Sequence, residues 1–256
     1  MKKLYEKNEL TFALVWIGIY CVLQSLANPL NEQIGIRYSV SAVFCILQAA
    51  LLFCFLKKNK LLIKYGLCKS FVPIHRFLYY APLIILATRN FWNGTAINLE
   101  VVDTIFYLVC MLCVGFVEEM IFRGFLFNAI AKENVKIAII ISSVTFGFGH
   151  LLNLVNGSGV ELAENLFQVT GAIAIGFLFV ILYYRGGSIL PCVITHSLIN
   201  MTSVFANETG LTMGKRMLFQ TIIFVITIGY AIILIKTLPK NQSANVNGKV
   251  DLRYGK

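Results

Sequence analysis

The chain has 256 residues, of which 58% are hydrophobic and only 13% are charged. This apolar share exceeds that of ordinary soluble domains and excludes a soluble globular protein. The formal net charge of +10 does not indicate a nucleic-acid partner, because the basic residues are dispersed among the loops between apolar stretches. The composition therefore predicts an all-α, polytopic membrane protein surrounded by the lipid bilayer.

A membrane-spanning helix needs about 20 mainly apolar residues, and eight stretches of the chain approach or exceed this length. In chain order they are 10–28, 38–56, 77–91, 102–130, 137–155, 163–184, 187–206 and 217–235. The third stretch is the weakest, because Pro82 interrupts it and Arg89 ends it early. The sequence thus predicts a bundle of about eight transmembrane helices.

One integral membrane domain is predicted to occupy residues 1–238, with residues 102–206 as the core that carries the polar motifs. Residues 239–256 are polar and lack apolar periodicity, so they are predicted to form a disordered cytoplasmic tail. Most of the 22 Lys and Arg residues fall on the side of the N-terminus, and such residues favour the cytoplasmic side. We therefore expect a multi-pass protein of the cell membrane with both termini in the cytoplasm.

Ionisable side chains occur in the apolar cores of predicted spans four, five and seven, whereas spans one, two, three and eight have none. An ionised group in hydrocarbon is costly, so such residues usually face partners or trapped water and mark function. The residues concerned are Glu118, Glu119, Arg123, His150 and His196. Their restriction to few helices predicts one polar interior site.

Helical spacing assigns different roles to the two glutamates. Glu119 and Arg123 are four residues apart, so they share a helix face and can form an ion pair. Glu118 is rotated from Glu119 by about 100°, which leaves it free to face a cavity as a base. In span five, Phe146 and His150 share a face, and Phe146 is interpreted as a packing residue beside the site.

The helices that carry the histidines contain residues that can bend them. Gly147 and Gly149 precede His150 and let another backbone approach closely or let the helix loosen. Pro191 lies five residues before His196 and can break that helix. We expect these bends to bring the histidines to the depth of the glutamates.

A carboxylate, two imidazoles and an amide fit the water-mediated hydrolysis of an amide bond. We expect Glu118 to take a proton from water and His150 to position that water. His196 and Asn200, which share a helix face, are expected to donate hydrogen bonds to the developing oxyanion. Alternatively, Glu118, His150 and His196 bind a zinc ion that activates the water. These residues alone do not decide between the two mechanisms.

Three motifs resemble those of the CPBP family in order, spacing and membrane context. They are E-E-x-x-x-R at 118–123, F-x-x-x-H at 146–150 and H-x-x-x-N at 196–200. The family comprises the CAAX prenyl endopeptidases of eukaryotes and bacterial proteins called Abi or bacteriocin-immunity proteases. The resemblance implies an intramembrane endopeptidase with eight helices.

The resemblance also implies roles for the motif residues. The first motif glutamate, here Glu118, activates water, and the favoured mechanism is glutamate-dependent and requires no cofactor, although family members have also been called metalloproteases. The residues that support Glu118 or complete the site by this resemblance are Glu119, Arg123, His150, His196 and Asn200.

The leading hypothesis is an endopeptidase that acts on a membrane-associated protein or peptide. A proton-coupled transporter is an alternative, because intramembrane Glu and His also form proton relays, but the inverted repeat that many transporters contain is not visible. A non-catalytic immunity or scaffold membrane protein is another. For a bacterial host we expect membrane-active peptides, peptide signals or bacteriocin-related targets as substrates, and not prenylated CAAX proteins.

Overall fold

The computed structural model describes residues 1–73, 76–154 and 162–238, and within these ranges the chain is helical with no β-strand. The described α-helices are α1 (Lys2–Lys7), α2 (Glu9–Ile34), α3 (Ser39–Lys58), α4 (Phe77–Ala87), α5 (Val101–Glu119), α6 (Asn128–Ala131), α7 (Val135–Gly149), α8 (Leu162–Gly186), α9 (Leu190–Thr202) and α10 (Met213–Thr237). The predicted all-α fold class is confirmed. The predicted tail, 239–256, lies outside the described residues.

Four irregular helical segments extend this framework within the described residues, of which Arg89–Phe91 and Ser203–Phe205 are short 3-10 turns. A π-helical segment, Met120–Phe127, joins α5 to α6, and a 3-10 segment, His150–Leu154, continues α7. All residues of the π-helical segment are buried, and it packs against α2, α7 and α8. The π-helical segment therefore lies in the centre of the hydrophobic core.

Six continuous helical stretches within the described ranges are long and apolar enough to cross a membrane. They are Glu9–Ile34, Ser39–Lys58, Val101–Ala131, Val135–Leu154, Leu162–Gly186 and Met213–Thr237. The other two predicted spans correspond to shorter helices, α4 with 11 residues and α9 with 13. At about 1.5 Å per residue, neither helix alone covers the hydrocarbon thickness of about 30 Å. The protein is a multi-pass membrane protein, but the predicted count of eight spanning helices is not confirmed.

Local sequence explains where several helices begin. The Asn8 side chain accepts a hydrogen bond of 2.8 Å from the Thr11 backbone N–H and so caps α2. Asn134 caps α7 in the same way. Pro191 lies in the first turn of α9, where a backbone N–H has no acceptor within the helix. The lack of an N–H on proline therefore costs no hydrogen bond there. The prediction that Pro191 breaks its helix is therefore wrong, because Pro191 starts the helix instead.

Glycines permit close contact between helices, and two of them lie near the polar residues. A Cβ atom on Gly115 of α5 would stand 2.2 Å from Ser197 Oγ on α9, and one on Gly147 of α7 would stand 2.2 Å from Ile173 Cγ1 on α8. The close approach predicted at Gly147 is confirmed. A Cβ on Gly149 would meet nothing within 4 Å, so no backbone approaches closely there. The second alternative, a change of the helix next to His150, holds instead, because the α-helix ends at Gly149 and continues from His150 as the 3-10 segment.

The contact between α5 and α9 matters most for the polar residues. Gly115 lies three residues before Glu118, and Ser197 directly follows His196. Ser197 Oγ also donates a hydrogen bond of 3.1 Å to the backbone oxygen of Leu112. The lack of a side chain at position 115 therefore brings the His196 segment against the Glu118 segment.

Replacing Gly115 with Ala should destabilise the protein by about 1–3 kcal/mol, because the new methyl group overlaps Ser197 and forces α5 and α9 apart. The free energy of unfolding can be measured by titration with sodium dodecyl sulfate in mixed micelles. Gly18→Ala is the matched control, since a Cβ at Gly18 of α2 meets nothing within 4 Å. Equal stability of the two variants would show that Gly115 is not required for the contact between α5 and α9.

Candidate active site

Four segments of the chain bring ionisable side chains together in the interior. The C-terminal end of α5 carries the two glutamates, the π-helical segment carries Arg123, the 3-10 segment carries His150, and α9 carries His196. Glu119 and Arg123 are 0% exposed, while Glu118 retains 9% exposure and His196 6%. Glu118, Glu119, Arg123 and His196 therefore form one cluster of buried groups, whereas His150 is half-buried.

The Glu119 carboxylate is the central acceptor of this cluster. Its Oε1 accepts a hydrogen bond of 2.9 Å from Arg123 Nη1, as the spacing of four residues predicted. The same oxygen lies 2.8 Å from His196 Nδ1. Because an ionised carboxylate can only accept, the Nδ1 atom that faces it carries a proton. One oxygen atom thus joins the π-helical segment to α9.

The Arg123 guanidinium is also enclosed by aromatic rings. Its Cζ lies 4.0 Å from the centroid of the Phe146 ring and 5.7 Å from that of Phe179. These cation–π contacts supplement the ion pair with Glu119 in the buried interior. They hold the positive charge on the side of the cluster that Glu119 occupies.

Glu118 faces different partners from Glu119. Its Oε1 accepts a hydrogen bond of 2.5 Å from the hydroxyl group of Tyr20 on α2. Its Oε2 lies 3.4 Å from His196 Nε2 and, among the described residues, makes no hydrogen bond. The His196 ring therefore stands between the two carboxylates, with Nδ1 towards Glu119 and Nε2 towards Glu118.

Phe146 contacts both predicted catalytic histidines. Its ring centroid lies 5.6 Å from that of His150 and 5.6 Å from that of His196, with nearly perpendicular planes in both cases. The backbone oxygen of His150 accepts a hydrogen bond of 2.8 Å from Asn165 Nδ2 on α8. Glu118 and His196 are among the groups within electrostatic range of His150. The structure thus places His150 beside the cluster, with Phe146 as the packing residue between the imidazoles.

Asn200 is the predicted site residue with the weakest link to the cluster. It lies one turn after His196 on α9, and its backbone oxygen accepts hydrogen bonds from Tyr107 and Ser203. Its side-chain amide has no hydrogen-bond partner within the described part of the chain. Asn200 is therefore on the correct helix, but no bond connects its amide to either carboxylate.

Tyr20 and the π-helical segment were not predicted from the sequence. Tyr20 lies in the first apolar span, which carries no charged residue in its core. The pattern of charged residues in the spans therefore does not indicate it. A tyrosine hydroxyl within an apolar span nevertheless needs a hydrogen-bond partner, a requirement that Tyr20 shares with the other tyrosines of the spans. The π-helical segment has no comparable signal, because its residues are all apolar except Arg123.

The predicted zinc ligands do not form a three-ligand centre. Within the described residues, no group of three or more His, Cys, Asp or Glu side chains is arranged to hold a metal ion. The Glu118 Oε1 atom is bonded to Tyr20, and His196 Nδ1 is bonded to Glu119. These bonds leave Glu118 Oε2 and His196 Nε2 facing each other, and metal-binding side chains commonly make such outer bonds. The choice between zinc and a glutamate-activated water therefore stays a prediction.

Residues 100–202 match the family model described as type II CAAX prenyl endopeptidase Rce1-like. This segment contains all three sequence motifs, so the resemblance to the CPBP family is confirmed. The chain matches no curated protein and no solved structure. The family match and the apolar helices together support an intramembrane protease at the level of the family.

Replacing Arg123 with Met should destabilise the protein by about 3–5 kcal/mol, because the Glu119 carboxylate then stays buried without its guanidinium partner. The double replacement Glu119→Met and Arg123→Met should cost less than the sum of the single replacements. Unfolding in mixed micelles measures both. Arg216→Met is the control, since Arg216 pairs with Glu208 and Glu164 at exposed positions, where about 1 kcal/mol or less is expected. If the double replacement lowers the free energy of unfolding by as much as the two single replacements together, Glu119 and Arg123 are not coupled.

Proposed function

We propose, from the match of residues 100–202 to the type II CAAX prenyl endopeptidase family, that this chain is a glutamate-dependent intramembrane endopeptidase. It hydrolyses a peptide bond in a membrane-associated protein or peptide by means of water that Glu118 activates. The observation that carries this proposal is the orientation of Glu118: one carboxylate oxygen is bonded to Tyr20, and the other faces His196 Nε2 without a hydrogen bond among the described residues.

The first chemical step is a proton transfer from water to Glu118. A water molecule at Oε2 gives its proton to the carboxylate while its oxygen bonds to the carbonyl carbon of the substrate. We assign His150 to position this water, because it lies beside Phe146 and within electrostatic range of Glu118. The product of this step is a tetrahedral oxyanion next to a protonated Glu118.

The second requirement is stabilisation of the oxyanion. His196 donates from Nε2 when it carries protons on both nitrogens, and its Nδ1–H remains bonded to Glu119 during the reaction. Asn200 is assigned as the second donor, since its amide has no hydrogen-bond partner within the described residues. The proton on Glu118 then passes to the leaving amine nitrogen as the C–N bond breaks, which restores the carboxylate.

The Glu119 and Arg123 pair acts on this chemistry indirectly. Arg123 offsets the charge of Glu119, so that Glu118 does not face an uncompensated like charge on the adjacent residue. Glu119 fixes which His196 nitrogen points towards Glu118. We therefore regard the pair as positioning residues, and Phe146 as the residue that keeps the imidazoles apart and excludes water from Arg123.

The family match favours hydrolysis over the transporter and scaffold alternatives. For the substrate we propose a membrane-active peptide, a peptide signal or a bacteriocin-related target, with immunity or signal processing as the physiological role. We also propose that both termini are cytoplasmic and that the short helices α4 and α9 count among about eight membrane helices, because basic residues concentrate on one side of that topology.

Replacing Glu118 with Gln should reduce cleavage by about 10²- to 10⁴-fold, because the amide cannot take a proton from water. Comparative peptidomics of membranes from cells with the native protein and with the variant measures this loss and identifies the substrate. Glu164→Gln is the matched control, since Glu164 is a surface acid paired with Arg216. An unaltered peptide profile in the Glu118 variant would refute the assigned base.

Cleavage in proteoliposomes should change by less than about twofold on addition of the chelator o-phenanthroline, because in the proposed mechanism Glu118, and not a metal ion, activates the water that attacks the peptide bond. A soluble zinc protease treated in parallel verifies that the chelator is active. A loss of cleavage that added zinc restores would contradict the metal-independent mechanism.

A further inference from the structure

The hydroxyl group of Tyr20 contacts the proposed base from a helix outside the family match. Tyr20 lies on α2, whereas the matched segment covers residues 100–202. We propose that Tyr20 is a positioning residue of the hydrolytic site, which holds Oε1 of Glu118 so that Oε2 is the atom that takes the proton from water. This inference rests on the proposed function and assigns a further residue to it.

The geometry of the hydrogen bond supports this role. The distance from Tyr20 Oη to Glu118 Oε1 is 2.5 Å, and bonds from a hydroxyl group to a carboxylate are short when the acceptor is charged. The carboxylate can only accept, so Tyr20 is the donor. A carboxylate held at one oxygen loses rotation about its terminal bond, and the other oxygen then keeps a fixed direction.

The second oxygen points towards the catalytic side of the cluster. Glu118 Oε2 is buried, lies 3.4 Å from His196 Nε2 and makes no hydrogen bond within the described residues. A water molecule that bonds to Oε2 therefore stands beside the His196 ring, where the oxyanion is expected to form. Without Tyr20, the carboxylate could turn, and either oxygen could approach His196.

The helix that carries Tyr20 is itself fixed by polar contacts on the same face. Gln24, one turn after Tyr20, donates a hydrogen bond of 3.1 Å to Cys45 Sγ on α3. Cys45 in turn lies 3.6 Å, sulfur to sulfur, from Cys110 on α5, the helix that ends at Glu119. These contacts connect α2, α3 and α5 and support a constant distance between Tyr20 and Glu118.

The kinetic test compares Tyr20→Phe with the native protein and with Glu118→Gln in proteoliposomes. The probes are internally quenched amphipathic peptides together with a farnesylated peptide that ends in Cys-aliphatic-aliphatic-X. Loss of the hydroxyl group should lower kcat by about tenfold to hundredfold, the effect of a misplaced reacting group, while KM changes by less than about twofold.

A spectroscopic readout separates positioning from a general loss of structure. Infrared spectra are recorded for the native protein and for Tyr20→Phe, each with and without the additional replacement Glu118→Gln. Subtracting the spectra within each pair isolates the bands of the Glu118 carboxylate. These bands should shift when the Tyr20 hydroxyl group is removed, because one carboxylate oxygen then loses its hydrogen bond.

Tyr65→Phe is the matched control, because the Tyr65 hydroxyl contacts Tyr5 and Glu9 and none of the site residues. If Tyr20 positions Glu118, Tyr20→Phe alone shows shifted Glu118 bands and a low kcat. Unchanged kcat or unchanged bands would overturn this role, and so would a loss that merely follows a lower free energy of unfolding. Full cleavage by Glu118→Gln would refute the proposed function instead, whereas inactive Glu118→Gln with fully active Tyr20→Phe would refute only the role of Tyr20.

Discussion

The arrangement of the polar interior depends on one oxygen atom of Glu119, which joins Arg123 of the π-helical segment to His196 of α9. The bond to His196 determines which edge of the imidazole ring is left for Glu118. The bond to Arg123 supplies the positive charge that makes a buried carboxylate tolerable. Since these two bonds connect separate segments, the geometry around Glu118 follows from the fold as a whole and not from one helix.

The buried position of the Glu119–Arg123 ion pair makes it costly to form. Removing an ion pair from water costs several kcal/mol for each ion, and good geometry with additional bonds is needed to offset it. Here the guanidinium packs on Phe146, and the second donor to Glu119 is the His196 ring. The close approach of α5 and α9 at Gly115 brings these partners into reach. Glu118 retains 9% exposure, whereas Glu119 has none.

The sequence predicted the features that depend on helical periodicity. The pairing of Glu119 with Arg123 and the edge-to-face contact of Phe146 with His150 both follow from a spacing of four residues. The contact of Tyr20 with Glu118 joins residues 98 positions apart, so no local pattern contains it. The short length of α4 agrees with the early end that Arg89 predicted. The π-helical segment has no local signal in the sequence, because its residues are apolar except Arg123.

The central claim, that Glu119 holds His196 beside Glu118, can be tested by rotational-echo double-resonance NMR in lipid bilayers. The measurement reports the distance between the ¹³C-labelled carboxyl carbon of Glu119 and the ¹⁵N-labelled Nδ1 of His196, assigned by comparison with Glu119→Gln. The structure, with 2.8 Å between Oε1 and Nδ1, predicts strong dephasing that disappears in that variant. A dephasing curve that is the same with and without the Glu119 carboxylate would contradict the account.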